Sequence, residues 1–353
     1  MLITDGPEEG CRSSTVAHGT RDAGGSGCYS CAGYLLRHDE RGCREGLPWD
    51  LPFRSSDVPI AAHARRRTGL LAAAVLLGMM SPTIAVHGAT GTQGSRIARR
   101  LTEAGHAVRA LTRQSADLAV LESLEQAYSG VDAVVVSLPL VVDDTALVHA
   151  DNVLAALERT RVARVVFNPG SPVPPAFVGI PYVDARVRLA QELPLLVRST
   201  SIIAPAGPYL ENLLHPWSVS RITQQGEVAY PIPAQARSSW VTLDDIGDAV
   251  GEALTAQEAP AQQLIGGPEP ISGEHLAEAI GAVVGRPVRY VCLDTAEFRR
   301  LITPVLGAAP AAHVAALYEQ RSTGPEESPL PADVVCAGTT TPEQWAARQS
   351  WAV

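Results

Sequence analysis

Seven consecutive residues have the types and spacing of a nucleotide-binding turn: Gly88-Ala89-Thr90-Gly91-Thr92-Gln93-Gly94. Gly88 permits a tight turn, Gly91 lets the backbone approach a pyrophosphate, and Gly94 allows close packing of a following helix. The N-terminus of such a helix attracts anions because its first amide groups are unpaired. We predict that this turn binds a dinucleotide, although a glycine-rich turn also occurs as a plain connection.

The flanks of the turn have the pattern of a strand, a helix and a second strand. Residues 83–87 form a short apolar run, residues 95–104 have a helical pattern, and residues 106–113 alternate in polarity and end on Arg113. An acid at that end would hydrogen-bond the ribose hydroxyls of NAD, whereas an arginine pairs with a 2′-phosphate. We therefore expect NADP(H) in preference to NAD(H). A solvated surface arginine stays the alternative.

Further apolar runs alternate with helical patterns along the chain. Residues 131–138 and 164–168 are typical of buried parallel strands, and residues 152–159 continue a helix between them. This alternation predicts an α/β fold with a doubly wound parallel sheet. The remaining predicted cofactor contacts are Thr90, Thr92 and Gln93 in the turn and Ser137, Leu138 and Asn168 at the ends of these two strands.

Composition limits the chemistry that this chain can perform. It has 353 residues, of which 46% are hydrophobic and 18% charged, enough for a core of one large or two modest domains. The net charge is -9, which disfavours nucleic acid as a partner. All 28 basic residues are arginine. The absence of lysine excludes a P-loop lysine, a Schiff base and a Tyr-x-x-x-Lys proton relay.

The first 80 residues have neither a helical nor a strand period and are rich in Gly, Ser and Arg. We expect an unstructured leader or a mis-assigned start, with the native protein beginning near Met79 or Met80. Its cysteines are Cys11, Cys28, Cys31 and Cys43, and the middle pair has the spacing of half a zinc site. The outer pair fits no such pattern, so we predict no metal.

The apolar run over residues 69–80 is too short to span a bilayer, so we predict no membrane segment. Cys292 and Cys336 are the remaining cysteines, and we expect both to be buried thiols. A body with so few cysteines is typical of a disulfide-free cytoplasmic protein.

A series of short motifs, in order, resembles the NmrA-like family of atypical short-chain dehydrogenases/reductases, which includes NADPH-dependent quinone reductases and redox-sensing regulators. The resemblance runs from about Pro82 to the C-terminus. It implies a Rossmann domain over residues 81–215 and a smaller substrate lobe over residues 216–353, with segments that return to the first domain. The motifs are those beginning at Gly88, Leu111, Gly130, Pro205, Asp244, Ile265, Gly285 and Pro342.

The chain departs from the family pattern at two places. The segment between Arg113 and Leu118 is shorter than usual, so the third strand of a 3-2-1-4-5-6 sheet is expected to be missing or vestigial. In catalytic relatives a Ser, a Tyr and a Lys act together, and the resemblance places Ser171, Tyr182 and Arg186 at their counterparts. An arginine can hold the nicotinamide ribose but cannot relay a proton. The alternative for Tyr182 is a half-buried aromatic residue without a catalytic role, whose hydroxyl bonds to any polar partner.

The resemblance also places Tyr209, Asn212 and Trp217 in an apolar substrate cleft, with one amide to orient a ligand. Core packing is the alternative for the two aromatic residues. Asp244 and Asp245 precede a helical pattern, so we expect helix capping from them and no paired-carboxylate site.

Two functional hypotheses follow. The first is an NADPH-dependent reductase that passes hydride to a quinone-like or aromatic carbonyl acceptor. The second is a sensor that binds NADP(H) without turnover and acts through a protein partner, and the missing lysine motivates it. An epimerase is disfavoured because it needs the Tyr and Lys pair. The predicted partner is a small molecule, with no nucleic acid, and the oligomeric state is monomer or homodimer.

Overall fold

A computed structural model describes residues 81–323 and 335–351. The predictions about the leader and its cysteines lie outside these residues. Within them the chain forms nine strands and ten α-helices, besides a 3₁₀ helix at Leu210–Leu214 and a π-helix at Arg221–Gln225. The strands are β1 Thr83–His87, β2 Ala107–Leu111, β3 Ala133–Val136, β4 Arg164–Phe167, β5 Ser199–Pro205, β6 Glu227–Tyr230, β7 Gln262–Gly266, β8 Arg289–Cys292 and β9 Val335–Ala337. The helices are α1 Thr92–Glu103, α2 Leu121–Tyr128, α3 Thr145–Thr160, α4 Pro181–Leu196, α5 Pro216–Ser220, α6 Leu243–Thr255, α7 Gly273–Val284, α8 Thr295–Leu306, α9 Ala308–Thr323 and α10 Pro342–Ala347.

Seven of the strands form one parallel sheet in the order β2-β1-β3-β4-β5-β7-β9. The predicted fold class, an α/β doubly wound parallel sheet, is confirmed. β2 is the edge strand, and the described part of the chain contains no strand beyond it. The shortened segment after Arg113 leads into α2 without a further strand, in agreement with the expectation that the third strand is missing or vestigial. An edge strand can be lost without breaking the rest of a sheet.

Both faces of the sheet are covered because the central strands are apolar on both sides. Val134 and Val136 face a core that α2, α3 and α4 complete, while Val135 faces a core formed with α1 and α6. Neighbouring residues of a strand point to opposite faces, so a continuous apolar run serves two layers of helices. This packing holds the carboxyl ends of the strands, where ligands bind in such sheets, in a fixed arrangement.

A third core forms a lobe beyond β5. β6 and β8 pair as a small parallel sheet, and α7, α8 and α9 pack with them. Tyr230 lies at the centre, in ring contact with Trp240, Phe298 and Tyr318. β7 and β9 return from this part of the chain to the large sheet. The domain boundaries drawn from the sequence stay a prediction.

The expectation of buried thiols was wrong: both Cys292 and Cys336 are exposed. The physical reason is that Cys292 ends a strand of the two-stranded sheet and Cys336 lies in β9, the edge strand of the large sheet. An edge strand has one side without a neighbour. Separately, no helix in the described ranges is long and apolar enough to cross a membrane.

Candidate cofactor and active site

The glycine turn connects β1 to α1 and is closed tightly on itself. Gly88 has a positive φ of 61°, which favours glycine, and the Gly91 amide donates to the Gly88 carbonyl at 2.8 Å. A Cβ built on Gly94 would lie 2.2 Å from the Gly88 oxygen and 2.5 Å from the His87 oxygen. Only glycine fits at position 94 without moving the backbone. The turn therefore has the close helix packing that the sequence predicted for Gly94.

The N-terminus of α1 presents unpaired amide groups at this turn. Gly91 is the N-cap residue, no side chain caps the helix, and its first turn contains no acid. Nothing in the first turn therefore competes with an anionic ligand for the partial positive charge of the helix end. A pyrophosphate fits this arrangement.

A buried histidine directly before the glycine turn forms a hydrogen bond with a buried tyrosine. His87 ends β1, and its Nε2 atom lies 2.6 Å from the Tyr128 hydroxyl at the end of α2. Burial lowers the pKa of His87 to about 4, and it raises the pKa of Tyr128. The ring is therefore neutral near pH 7. Sequence reasoning missed this pair, because nothing in the local pattern links two residues 41 positions apart.

The carboxyl ends of β3 and β4 bring several predicted cofactor residues to the same edge as the turn. The Asn168 Nδ2 atom donates to the Gln93 Oε1 atom at 3.2 Å, and the Gly170 amide donates to the Asn168 Oδ1 atom at 3.0 Å. Ser137, at the end of the neighbouring strand β3, has a buried Oγ atom with no hydrogen-bond partner among the described residues. A buried hydroxyl without a partner is rare in native proteins and indicates a ligand or water that would complete it.

Arg186 is buried beside these strand ends and makes all its hydrogen bonds to backbone carbonyls. Its side chain donates to Pro169 at 2.9 Å, to Tyr182 at 2.8 Å and to Leu138 at 3.1 Å. Within the described ranges it forms no ion pair, and burial lowers the pKa of the guanidinium. A buried cation without a counter-ion is unusual, so a negatively charged ligand would be stabilised here.

Tyr182, at the start of α4, contacts Arg186 and a histidine from the lobe. The Arg186 Cζ atom lies 3.6 Å from the centre of the Tyr182 ring. His313 of α9 packs against the same ring, with centroids 5.1 Å apart and an edge-to-face geometry. Ser171 is partly exposed in the loop after Gly170 and forms no side-chain hydrogen bond in the described structure. Sequence reasoning missed His313, because a lone histidine in an alanine-rich helix has no distinguishing pattern.

Arg113 lies at the adenine side expected for a Rossmann turn. It is exposed, without an ion pair among the described residues, and stands two positions after Leu111. The Leu111 carbonyl accepts from the Ala89 amide at 3.2 Å, which ties the end of β2 to the glycine turn. Thr90 and Thr92 are also exposed in that turn. The predicted cofactor residues therefore share one edge of the sheet.

The three residues predicted to line the substrate cleft have different surroundings. Tyr209 is 8% exposed, and burial raises the pKa of its phenol. The Asn212 amide donates to the Tyr230 hydroxyl at 2.9 Å, in the centre of the lobe. Trp217 packs edge to face on Phe298, and its Nε1 atom is buried with no partner in the described part of the chain. Their role toward a substrate stays a prediction.

The aspartates at the start of α6 stabilise the fold. Asp244 forms an ion pair with Arg99 at 2.5 Å, and the Asp248 carboxylate accepts a hydrogen bond from the Arg100 guanidinium. The expectation that Asp244 and Asp245 cap the helix was wrong, because Thr242 is the N-cap residue and the two aspartates lie in the first turn. The Asp245 carboxylate accepts from the hydroxyl groups of Thr242 and Thr340. The described residues contain no group of three His, Cys, Asp or Glu side chains that could hold a metal ion.

A doubly wound parallel sheet with this glycine turn defines the class of dinucleotide-binding α/β proteins, and the relatives of the chain show that it is an NAD(P)H-dependent oxidoreductase. The family model described as NmrA-like family matches residues 80–333. The chain belongs to the NmrA-like family, as the sequence motifs indicated.

Comparisons with individual proteins agree with this assignment. The chain is 30% identical to the NAD(P)H azoreductase of Xenophilus azovorans over 239 residues, which cover 62% of this chain and 80% of that protein. It is 28% identical over 275 residues to the uncharacterized oxidoreductase YesF of Bacillus subtilis, covering 70% and 87% of the two chains. The fold is similar to that of Citrobacter sp. triphenylmethane reductase complexed with NADP(H), with 17% identity, a TM-score of 0.58 and coverage of 76% of this chain and 99% of that one.

Proposed function

We propose that this protein is an NADPH-dependent reductase that passes a hydride to an aromatic acceptor of quinone, aromatic carbonyl or azo type. The observation that carries the proposal is the hydrogen bond from Asn168 to Gln93. It joins the glycine turn to the strand ends where Arg186 and Tyr182 lie, so one ligand can extend from the turn to that pair. The azoreductase relative and the NADP(H) complex of the triphenylmethane reductase support the same chemistry.

The residues present fit a dinucleotide. Gly88, Gly91 and Gly94 with the N-terminus of α1 would hold the pyrophosphate, and Arg113 would pair with the 2′-phosphate of NADP(H). Ser137 and Asn168, with Arg186, would hold the nicotinamide and its ribose, since the Ser137 Oγ atom lacks a partner in the described residues. When bound, the nicotinamide supplies the hydride.

Arg186 positions groups at this site and does not move a proton. Its side chain donates to four backbone carbonyls, three of them just after β3 and β4 and one in α4. It keeps its proton under all ordinary conditions, so it cannot replace lysine in a relay. It fixes the Tyr182 ring by stacking and contributes a positive charge at the carboxyl edge. The acceptor accordingly takes its proton from solvent, as quinones and azo groups can.

The experiment is to follow consumption of NADPH and of NADH with a panel of quinones, azo dyes and aromatic aldehydes in the absence of oxygen. We expect turnover with at least one acceptor and a preference for NADPH. Failure with every acceptor, together with tight binding of both NADP⁺ and NADPH, would contradict the proposal and favour the sensor hypothesis. Turnover with NADH alone would refute the cofactor preference while leaving the reductase in place.

A further inference from the structure

His313 reaches the active site from the lobe and not from the Rossmann sheet. α9 places its imidazole edge to face against Tyr182, with an angle of 65° between the ring planes. Tyr182 in turn stacks on Arg186. The carboxyl edge of the sheet therefore holds three groups side by side: the imidazole from the lobe, then the phenol, then the guanidinium. The acceptor of the proposed reaction must bind at this edge.

The Nε2 atom of His313 is buried and has no hydrogen-bond partner in the described structure. Buried polar atoms are normally satisfied by protein or ordered water. The ring contact with Tyr182 does not use this nitrogen as a hydrogen-bonding group. An imidazole nitrogen left open beside the expected position of the acceptor indicates a ligand that supplies the missing partner.

The surroundings of His313 keep the ring neutral. Burial lowers the pKa of the imidazole, and the positive charge of Arg186 lowers it further. A neutral imidazole carries one N–H donor and one acceptor nitrogen. Such a ring can hydrogen-bond a carbonyl oxygen or an azo nitrogen without adding a second positive charge to the site.

We propose that the Nε2 atom of His313 hydrogen-bonds the heteroatom of the acceptor that gains a proton. The inference rests on the proposed function. When a hydride adds to one end of a quinone or azo system, the π electron pair moves to the oxygen or nitrogen at the other end, and that atom takes a proton from solvent. A hydrogen bond there stabilises the developing charge. A triarylmethane cation gains the hydride at carbon and needs no proton, so it uses no such hydrogen bond.

His313 is therefore a specificity-determining residue for heteroatom acceptors. The variant His313→Phe keeps a ring against Tyr182 but lacks the nitrogen, whereas His313→Gln supplies an amide near the same place. We expect His313→Phe to lower the ratio of kcat/KM for a quinone to that for a triarylmethane cation by about tenfold, the effect of one neutral hydrogen bond. His313→Gln should recover most of that ratio. His275→Phe, at an exposed histidine of α7, is the matched control.

Binding of a hydroquinone, measured by calorimetry on each variant saturated with NADP⁺, is the second readout, and thermal unfolding checks that each variant folds. Weaker hydroquinone binding by His313→Phe, with recovery in His313→Gln, supports the inference. If the wild type reduces none of the acceptors with NADPH, that result refutes only the proposed function, and the binding measurement still tests the role of His313. If His313→Phe has the wild-type ratio of kcat/KM and the wild-type affinity for hydroquinone, the inference is wrong. Equal loss in both variants also contradicts it, because a merely structural role would produce that result.

Discussion

Gly94 packs against the carbonyl group of Gly88 so closely that a Cβ at position 94 would lie 2.2 Å from that oxygen. Two residues six positions apart thus fix the distance between the end of β1 and the first turn of α1. The unpaired amides of α1 point into the same turn because this distance is short. The glycine turn and the N-terminus of α1 keep this arrangement only while position 94 has no side chain.

Gly94→Ala should abolish cofactor binding. The added methyl group forces the turn open, and we expect the dissociation constant for NADPH to rise about 100-fold or more as the pyrophosphate loses its amide contacts. The control is Gly251→Ala in α6, where a Cβ would make only an ordinary contact of 3.6 Å with Leu101. Fluorescence titration with NADPH measures both variants. Wild-type affinity in Gly94→Ala would show that the dinucleotide does not bind at this turn.

Arg113→Ala should reduce the preference for NADPH over NADH. Arg113 is exposed beyond the edge strand and has no ion pair among the described residues, so its side chain is available to a 2′-phosphate. We expect kcat/KM for NADPH to fall about tenfold or more, with a much smaller change for NADH. Arg198→Ala, at the opposite end of the strands, is the control. A parallel loss with both cofactors would place Arg113 outside the phosphate site.

Replacement of Arg186 should affect both stability and cofactor binding. Arg186→Met leaves four backbone carbonyls without their donor, and we expect the free energy of unfolding to fall by about 2–4 kcal/mol. Arg186→Lys should lower the free energy of unfolding by less, because the ammonium group keeps the charge and some of the hydrogen bonds. The control is Arg188→Met on the same helix, whose side chain is 39% exposed and pairs with Asp151. Denaturant unfolding and NADPH titration are the measurements, and equal effects at the two positions would contradict the assigned role.

His87 should make the protein less stable in mild acid. The folded chain holds the pKa of His87 at about 4, below the value of about 6.5 for an unfolded histidine. The stability that depends on neutral His87 is therefore complete above about pH 6.5 and is lost as the pH falls towards 4, by at most about 1.4 kcal/mol per pH unit.

The variant His87→Gln can still accept from the Tyr128 hydroxyl but does not titrate. We expect the free energy of unfolding to decrease less steeply between pH 7 and pH 5 than in the wild type. Identical slopes for His87→Gln and the wild type would show that His87 does not control this dependence.

The sequence was sufficient for the local elements and for the sheet that joins them. The spacing of Gly88, Gly91 and Gly94 predicted a strand, a turn and a helix, and the short segment after Arg113 predicted an edge at β2. These features depend on neighbouring residues, so a local pattern records them.

The remaining features depend on residues that are distant in the chain. His313 reaches Tyr182 from a helix more than 100 positions later, and the exposure of Cys336 depends on which strand lies at the sheet edge. The Asn212 amide donates to the Tyr230 hydroxyl, a contact between the segment after β5 and the strand β6. Composition and spacing contain no signal for such contacts, because tertiary packing alone determines them.

An isotope label shows whether hydride passes from NADPH to an acceptor at this site. The most direct measurement uses NADPH that carries deuterium at the transferring position of the nicotinamide, with an aromatic aldehyde or a triarylmethane dye as acceptor. Both products hold the new atom on carbon, where it does not exchange with water. We predict deuterium at the reduced carbon with the wild type and none with Gly94→Ala. Reduction without deuterium in the product, or no reduction of any acceptor by the wild type, would contradict the account.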